Sequence, residues 1–365
     1  MIFFNIQNKT HNNLFSNQVE NFLMTFERKI IMRKLSSIQK IKYIKPIQNA
    51  DKIETVGILG WECVSKKGEF KEGDKCIYFE IDSLLPEIPE FEFLRKSCWN
   101  SNLNKFRLKT VKLRKQISQG LALPINLFPK FLNLEVGTDV TKELNIEKYE
   151  PPIPACISGD VRSFSWPISK TDEIRIQSDE EYNFIESIKN KPYYISLKLD
   201  GTSSTFIIHN DEFHVCGRNY SYKKNENHSF WKVAEKYNIE EGLRNLKNYA
   251  IQGEIVGPGI QKNPLGLKDV DLYIFNVVNT SSNTKMNLDN SLSIAQKLGI
   301  KFVPIIEKGE IFIYSREELL QMAQGKYFQH FDSAKESQER EGIVIRSFDS
   351  NISFKAINNK FLLNE

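Results

Sequence analysis

Lys198 is the side chain in this sequence best suited to act as a nucleophile. It stands in Tyr194-Ile195-Ser196-Leu197-Lys198-Leu199-Asp200-Gly201-Thr202, where apolar and polar residues alternate as in a half-buried strand. The alternation predicts Ile195, Leu197 and Leu199 against a core, with Tyr194, Ser196, Lys198 and Asp200 on the opposite face. Gly201 would end the strand in a turn. A lysine on a cleft wall, beside a carboxylate and a tight turn, suits covalent catalysis by an amine. Four segments further along carry polar residues in otherwise apolar stretches. Arg218, in residues 214–219, offers the planar fork that clamps a phosphate. Glu254 stands in residues 251–256, where a carboxylate is costly unless it is paired or serves a ligand. Glu341 precedes the apolar run 342–345, and Lys355 interrupts another at 352–357. Taken singly, each is also what a solvated strand end looks like. The order Lys-x-Asp-Gly, Arg, Gly-Glu, Glu-Gly, Lys is much harder to obtain by chance.

The elements that must position these residues are of two kinds. Residues 33–150 read as short strands broken by turns, a pattern that predicts a small OB-like β-barrel. Two of its strands are expected within residues 106–122, hinged at Ser118-Gln119-Gly120. Basic residues gather in the same region. Lys105, Arg107 and Lys109 would alternate along one strand face, and Lys112, Arg114 and Lys115 follow at once. Such a row can track a phosphate backbone, and it can equally be a solvated strand face. Pro151-Pro152-Ile153-Pro154 marks a linker over 151–160. After it, strands alternate with helices. Helices are predicted at 179–191, at 229–247 as one or two pieces, at 291–298, and from a capping box at Ser315 through Met322. The expected fold class is α+β: an amino-terminal OB-like barrel, then a mixed α/β domain over 161–365.

Composition narrows the partners. The chain has 365 residues, 40% hydrophobic and 26% charged, with a net charge of +4. That is an ordinary soluble composition, and it permits a polyanionic partner without requiring one. Cys63, Cys76, Cys98, Cys156 and Cys216 form no Cys-x-x-Cys pair, which argues against a disulfide framework or zinc site and fits a reducing, intracellular compartment. The five histidines show no metal-ligand spacing. No apolar run is long enough to cross a membrane as a helix. Residues 1–32 are rich in Asn and Gln and read as a poorly ordered extension, with Met32 a plausible alternative start.

With these residues in view, the second domain resembles the nucleotidyltransferase domain, ATP-grasp-like in architecture, of ATP-dependent RNA ligases, DNA ligases and mRNA-capping guanylyltransferases. Lys198-Leu199-Asp200-Gly201 matches the family's motif I and Arg218-Asn219 its motif Ia. Gly253-Glu254 matches motif III, and Tyr273-Ile274-Phe275 resembles motif IIIa. Glu341-Gly342-Ile343-Val344 matches motif IV, and Ser353-Phe354-Lys355 motif V. Residues 170–177 are similar to a stretch typical of RNA ligases. The barrel precedes this domain, whereas in DNA ligases and capping enzymes an OB domain usually follows it. That order, and the run Ser118-Gln119-Gly120-Leu121-Ala122-Leu123-Pro124, resemble the RNA ligase family with an amino-terminal OB domain. One departure stands out. Many relatives carry a second motif V lysine where this chain has Ile357.

The resemblance implies an ATP-dependent ligase that joins RNA 3′-OH and 5′-phosphate ends, acting on nicked duplex as a monomer. It implies Lys198 as the adenylylated residue, with Mg²⁺ or Mn²⁺ held at Glu254 and Glu341. Arg175, Asp200, Gly201, Arg218, Glu254, Phe275 and Lys355 are the implied nucleotide-binding residues, with Phe275 stacked on adenine and Lys355 beside the nucleophile. Lys105, Arg107, Lys109, Lys112 and Arg114 are the expected nucleic-acid contacts. The alternatives are a DNA ligase, a capping guanylyltransferase, or a non-catalytic module that binds RNA ends.

Overall fold

Short strands build the amino-terminal half. The computed structural model describes residues 33–150, 161–163 and 167–364; the predicted extension and the 151–160 linker lie outside them. Lys75–Phe79 is the centre of one small sheet, antiparallel to both Ser36–Lys40 and Leu121–Pro124. Tyr43–Pro46, Ile53–Ile58 and Trp61–Lys66 form a meander. Ser83–Leu85 and Lys105–Arg107 pair in a further sheet flanked by Glu147–Lys148 and Trp99–Asn100. The region predicted as two strands holds four. After Lys105–Arg107 come Thr110–Leu113 and Gln116–Gln119, paired as a hairpin, and then Leu121–Pro124. The missed turn is at Arg114 and Lys115, both with positive φ. Neither is a residue type that advertises a left-handed turn.

The second half contains two sheets. A larger one orders Val161–Ser163, Tyr220–Tyr222, Glu212–Cys216, Thr202–His209, Tyr249–Val256, Asp271–Asn279 and Thr284–Lys285, with Lys301–Phe302 added parallel to Asp271–Asn279. A five-stranded one orders Ile174–Arg175, Ser353–Ile357, Gly342–Ser347, Tyr193–Lys198 and Ile305–Gly309. Each has helices against one face. Ile251, Ile255, Leu272 and Ile274 of the larger sheet pack on Phe230, Val233 and Leu243, which come from helices Ser229–Lys236 and Ile239–Leu246. Tyr193, Ile195, Ile343, Ile345, Phe354 and Ala356 of the smaller sheet pack on Phe184, Ile188 and Leu319. The predicted helix 179–191 is two short pieces, broken at Asn183, and 229–247 is broken at Asn238; both asparagines are left-handed. Asparagine tolerates that conformation better than most residues, so it interrupts a helix without a Gly or Pro to announce it.

The alternation around Lys198 holds, but its second face is not solvated. Tyr194 and Ser196 are as buried as Ile195. Ser196 Oγ accepts a hydrogen bond of 3.1 Å from Arg346 Nη1, itself a buried side chain. On this face, shared by Ser196, Lys198, Val344, Arg346, Lys355 and Ile357, Arg346 lies against Phe275 of the larger sheet and Ile357 packs against the barrel.

Ile357 shows how closely barrel and second domain are joined. It is 2% exposed and packs, with Phe361 and Leu362, in one cluster with Val56, Ile58, Trp61, Cys63, Tyr78 and Ala122 of the barrel. Gly60 N donates to Gln177 O at 2.8 Å, and Trp61 Nε1 to Ser178 Oγ at 3.3 Å, across the same contact. The described residues from Leu35 onward accordingly form one compact unit. A lysine at 357 would bury an ammonium in this apolar cluster. Ile357→Lys is expected to destabilise the fold by about 3 kcal/mol or more, and Ile357→Val by about 1 kcal/mol. Thermal denaturation followed by circular dichroism checks this, and equal midpoints for the two variants would contradict it.

Candidate active site

The nucleophile candidate sits where one sheet hands the chain to the other. Tyr193–Lys198 ends at Lys198, and Thr202–His209 begins four residues later in the larger sheet. Gly201 lies inside that crossing, so close to the neighbouring strand that a Cβ would stand 2.4 Å from Ile255 O. Its own carbonyl accepts from Gln261 Nε2 at 3.1 Å. Lys198 is in register with Gly342, which places Glu341 beside it although 143 residues separate them in the chain. Gly342 has φ of 154°, and a Cβ there would stand 2.2 Å from Ala356 O. Only glycine lets the strand bearing Lys355 approach this closely.

Lys198 Nζ lies 2.8 Å from both carboxylate oxygens of Glu341. Both side chains are largely but not wholly buried. Burial alone would lower the Lys198 pKa. Glu341, then Glu254 and Asp200, outweigh it, and the ammonium is held above the ordinary lysine value. Glu254 lies on the face of Tyr249–Val256 opposite to the helix-packed Ile251 and Ile255. Its pKa is pushed up to about 7, first by burial; Lys198 pulls it down, while Glu341 and Asp200 raise it further. The centre is therefore one ammonium among three acids.

A second charged group lies alongside. Lys355 Nζ is 3.7 Å from Asp172, and Lys148, from the end of the barrel, also pairs with Asp172. Arg218 is 3.8 Å from Glu150 and two-fifths exposed. Burial would raise the Asp172 pKa, but Lys355, Lys148 and then Arg218 hold the carboxyl well below the usual range. Lys355 thus stands with Asp172, while the strongest charges on Lys198 are acidic. Lys198 is accordingly an ammonium stabilised by acids. Phe275, on the same side of its strand as Tyr273, is partly buried, and the Arg346 guanidinium lies 5.9 Å from its ring centre.

Arg175 lies in the contact between barrel and second domain. It is 6% exposed, bonds Asp82 Oδ2 at 3.0 Å through Nη2 and lies 5.9 Å from the Trp61 ring. The basic row is split. Lys105 pairs with Glu147 at 2.5 Å, and Arg107 lies over the Tyr149 ring at 3.4 Å, so both are engaged within the barrel. Lys109, Lys112 and Arg114 are exposed, the latter two on the hairpin. The chain turns between the groups, so they do not share one strand face.

Family models match an OB-fold domain over residues 35–125 and an RNA ligase domain over 191–357. A Naegleria gruberi RNA ligase variant in its apo form is 37% identical, with a TM-score of 0.83 over 91% of this chain and 98% of that one. The chain belongs to the RNA ligase family. A variant of the same Naegleria ligase with ATP and Mn is 36% identical, with a TM-score of 0.82 over 91% of this chain and 99% of that one. The Naegleria ligase with PPi is 37% identical, with a TM-score of 0.81 over 92% and 99%. Comparison with curated proteins finds no significant match.

Sequence reasoning missed three residues of this RNA ligase site. Asp172 and Lys148 organise the charges around Lys355. Asp172 lies inside the stretch similar to RNA ligases, which was a usable signal; Lys148 carried none. Tyr327 is fully buried and its hydroxyl meets the backbone on both sides of the Lys198–Glu341 pair. It stands in no motif.

The raised pKa of Glu254 makes a signed prediction. Its ionisation costs folding free energy, a cost absent below the ordinary carboxylate range and complete above about pH 7. In metal-free buffer Glu254→Gln is expected to be more stable than wild type at pH 8, by on the order of 2–3 kcal/mol, with a smaller difference at pH 5. Denaturant melts at the two pH values measure it, and a pH-independent difference would contradict it.

Proposed function

We propose that this RNA ligase uses ATP to join RNA 3′-OH and 5′-phosphate ends through an adenylate on Lys198. The observation that carries the reading is Lys198 Nζ, 2.8 Å from Glu341 at the meeting of two sheets. In the first step the deprotonated Lys198 amine forms a bond to the α-phosphorus of ATP, and the bond to the β-phosphate oxygen breaks, releasing pyrophosphate. In the second, an oxygen of the RNA 5′-phosphate attacks the same phosphorus, the P–N bond breaks, and Lys198 regains its proton. In the third, the RNA 3′-oxygen attacks the 5′-phosphorus and AMP leaves with the bridging oxygen. Arg218 and Lys355 are suited to balance phosphate charge, and Asp172 keeps Lys355 in place. Asp200 and Gly201 border the site, and Phe275 offers a ring for the adenine.

Glu254 and Glu341 are the carboxylates proposed to hold Mg²⁺ or Mn²⁺. Oxygen donors suit both ions. The fit is supported by the upward shift of Glu254, a carboxylate raised first by burial and further by Glu341 and Asp200, so that a cation would relieve both. Among the described residues no cluster of three or more metal-binding side chains occurs, so phosphate oxygens or water would complete the shell. A bound divalent cation would neutralise the acids that retain the Lys198 proton and would balance charge on the phosphates.

The exposed Lys109, Lys112 and Arg114 are proposed to contact the RNA backbone, favouring a nicked duplex. Cys63, Cys76, Cys98 and Cys216 are free thiols, which supports an intracellular setting. No helix of the described residues is long and apolar enough to cross a membrane.

Intact-mass analysis after incubation with ATP and Mg²⁺ tests the reading. Wild type is expected to gain one AMP, and Lys198→Ala none. An adduct on the variant, or none on wild type, would sink it. Replacing Lys109, Lys112 and Arg114 together by Ala is expected to weaken nicked-RNA binding at least tenfold at low salt and to flatten its salt dependence, with adduct formation unchanged. Unaltered binding would remove the hairpin from the RNA interface.

A further inference from the structure

Tyr327 is buried from solvent in a 3₁₀ turn, Tyr327–Gln329, that belongs to none of the sequence motifs. Its ring packs edge-on against Phe331 in the cluster that contains Leu197 and Leu199, the residues on either side of Lys198. Its hydroxyl donates to Lys198 O at 2.9 Å and accepts from Asp200 N at 2.8 Å and Glu341 N at 3.2 Å. A phenol has one proton to give and two lone pairs to receive, so these three bonds use its full capacity. Burial, with Glu341 next, raises its pKa well above the ordinary tyrosine value and keeps the proton on the oxygen.

Each partner is backbone, and each belongs to the reacting pair or its neighbour. The Lys198 carbonyl and the Asp200 amide bracket the point where the chain leaves the five-stranded sheet. The Glu341 amide lies at the start of Gly342–Ser347. Strand pairing alone stops at this point, because Lys198 with Gly342 is the final register pair of the two strands. Beyond it, the Tyr327 oxygen bonds both chains at once. We propose that Tyr327 is a positioning residue for the ligase reaction, whose hydroxyl locks the backbone of Lys198 and Asp200 to that of Glu341 and so aims the nucleophile. The proposal rests on the assignment of Lys198 as the adenylylated residue.

Removing the hydroxyl leaves the ring packing intact but frees three backbone groups. Small displacements of a reacting group cost rate more than affinity, because ground-state contacts with the nucleotide persist. Tyr327→Phe should therefore lower the limiting rate of enzyme–AMP formation by roughly 10- to 100-fold while the half-saturating ATP concentration moves less than about threefold. Tyr193→Phe is the control. Tyr193 is a buried tyrosine at the other end of the same strand, and its hydroxyl bonds Glu307. It should stay within about twofold of wild type in rate, since a generic loss of a buried hydroxyl does not touch the pair.

Single-turnover quench measurements of enzyme–AMP across ATP concentrations read both parameters. A wild-type limiting rate for Tyr327→Phe, or the same rate loss in Tyr193→Phe, would overturn the proposal. Hydrogen exchange on the wild-type protein provides a second measurement that needs no variant. Both the Asp200 and the Glu341 amides should be protected from exchange, and rapid exchange of either would overturn it. Adduct formation by Lys198→Ala would instead overturn the nucleophile assignment, so the two failures are distinguishable.

Discussion

The contact between Lys198 and Glu341 is the constraint around which the rest of the site is arranged. It joins two residues far apart in sequence, and it exists because Tyr193–Lys198 and Gly342–Ser347 are antiparallel neighbours in register. The glycine at 342 allows the next strand, with Lys355, to close in from the other side. The glycine at 201 lets the chain cross tightly into the sheet that carries Glu254. An ion pair removed from water gains little net stability, because desolvation offsets most of the attraction. Its value here is positional and electrostatic. It keeps the amine in place as an ammonium.

The barrel is part of the same construction. Ile357 and Phe361 enter its apolar cluster, and Arg175 reaches Asp82 on its surface. Lys148, at its end, comes back to Asp172 and through it to Lys355. A lysine at 357 would be incompatible with the first of these contacts. The departure from relatives at that position is therefore explained by packing: Ile357 lies on the same strand face as Lys355 but under the barrel.

Much of this was legible from sequence. Lysines, arginines and carboxylates are unusual residue types in apolar strands, so their order singles them out as candidates before any fold is known. Strand alternation correctly separated Ile195 from Ser196 and Lys198. It could not say that both faces were covered, because Ser196 and Tyr194 are polar enough to pass for a solvated side. The burial of Arg175 was unreadable for a related reason: an arginine paired across a domain contact has the same local sequence as one that meets a phosphate. Lys105 and Arg107 were read with Lys109 because the strand break before Thr110 carries no Gly, Pro or Asn. Tyr327 was invisible because its partners are backbone atoms of distant segments, and nothing in its neighbours encodes them.

The central claim is that acids on two strands hold Lys198 as an ammonium. The most direct test is to titrate Lys198 Nζ in the nucleotide-free, metal-free protein, by NMR of selectively labelled lysine. The account predicts a pKa above the ordinary lysine value in wild type and a lower one in Glu341→Gln. A wild-type pKa below the ordinary value, or one indifferent to Glu341→Gln, would contradict it.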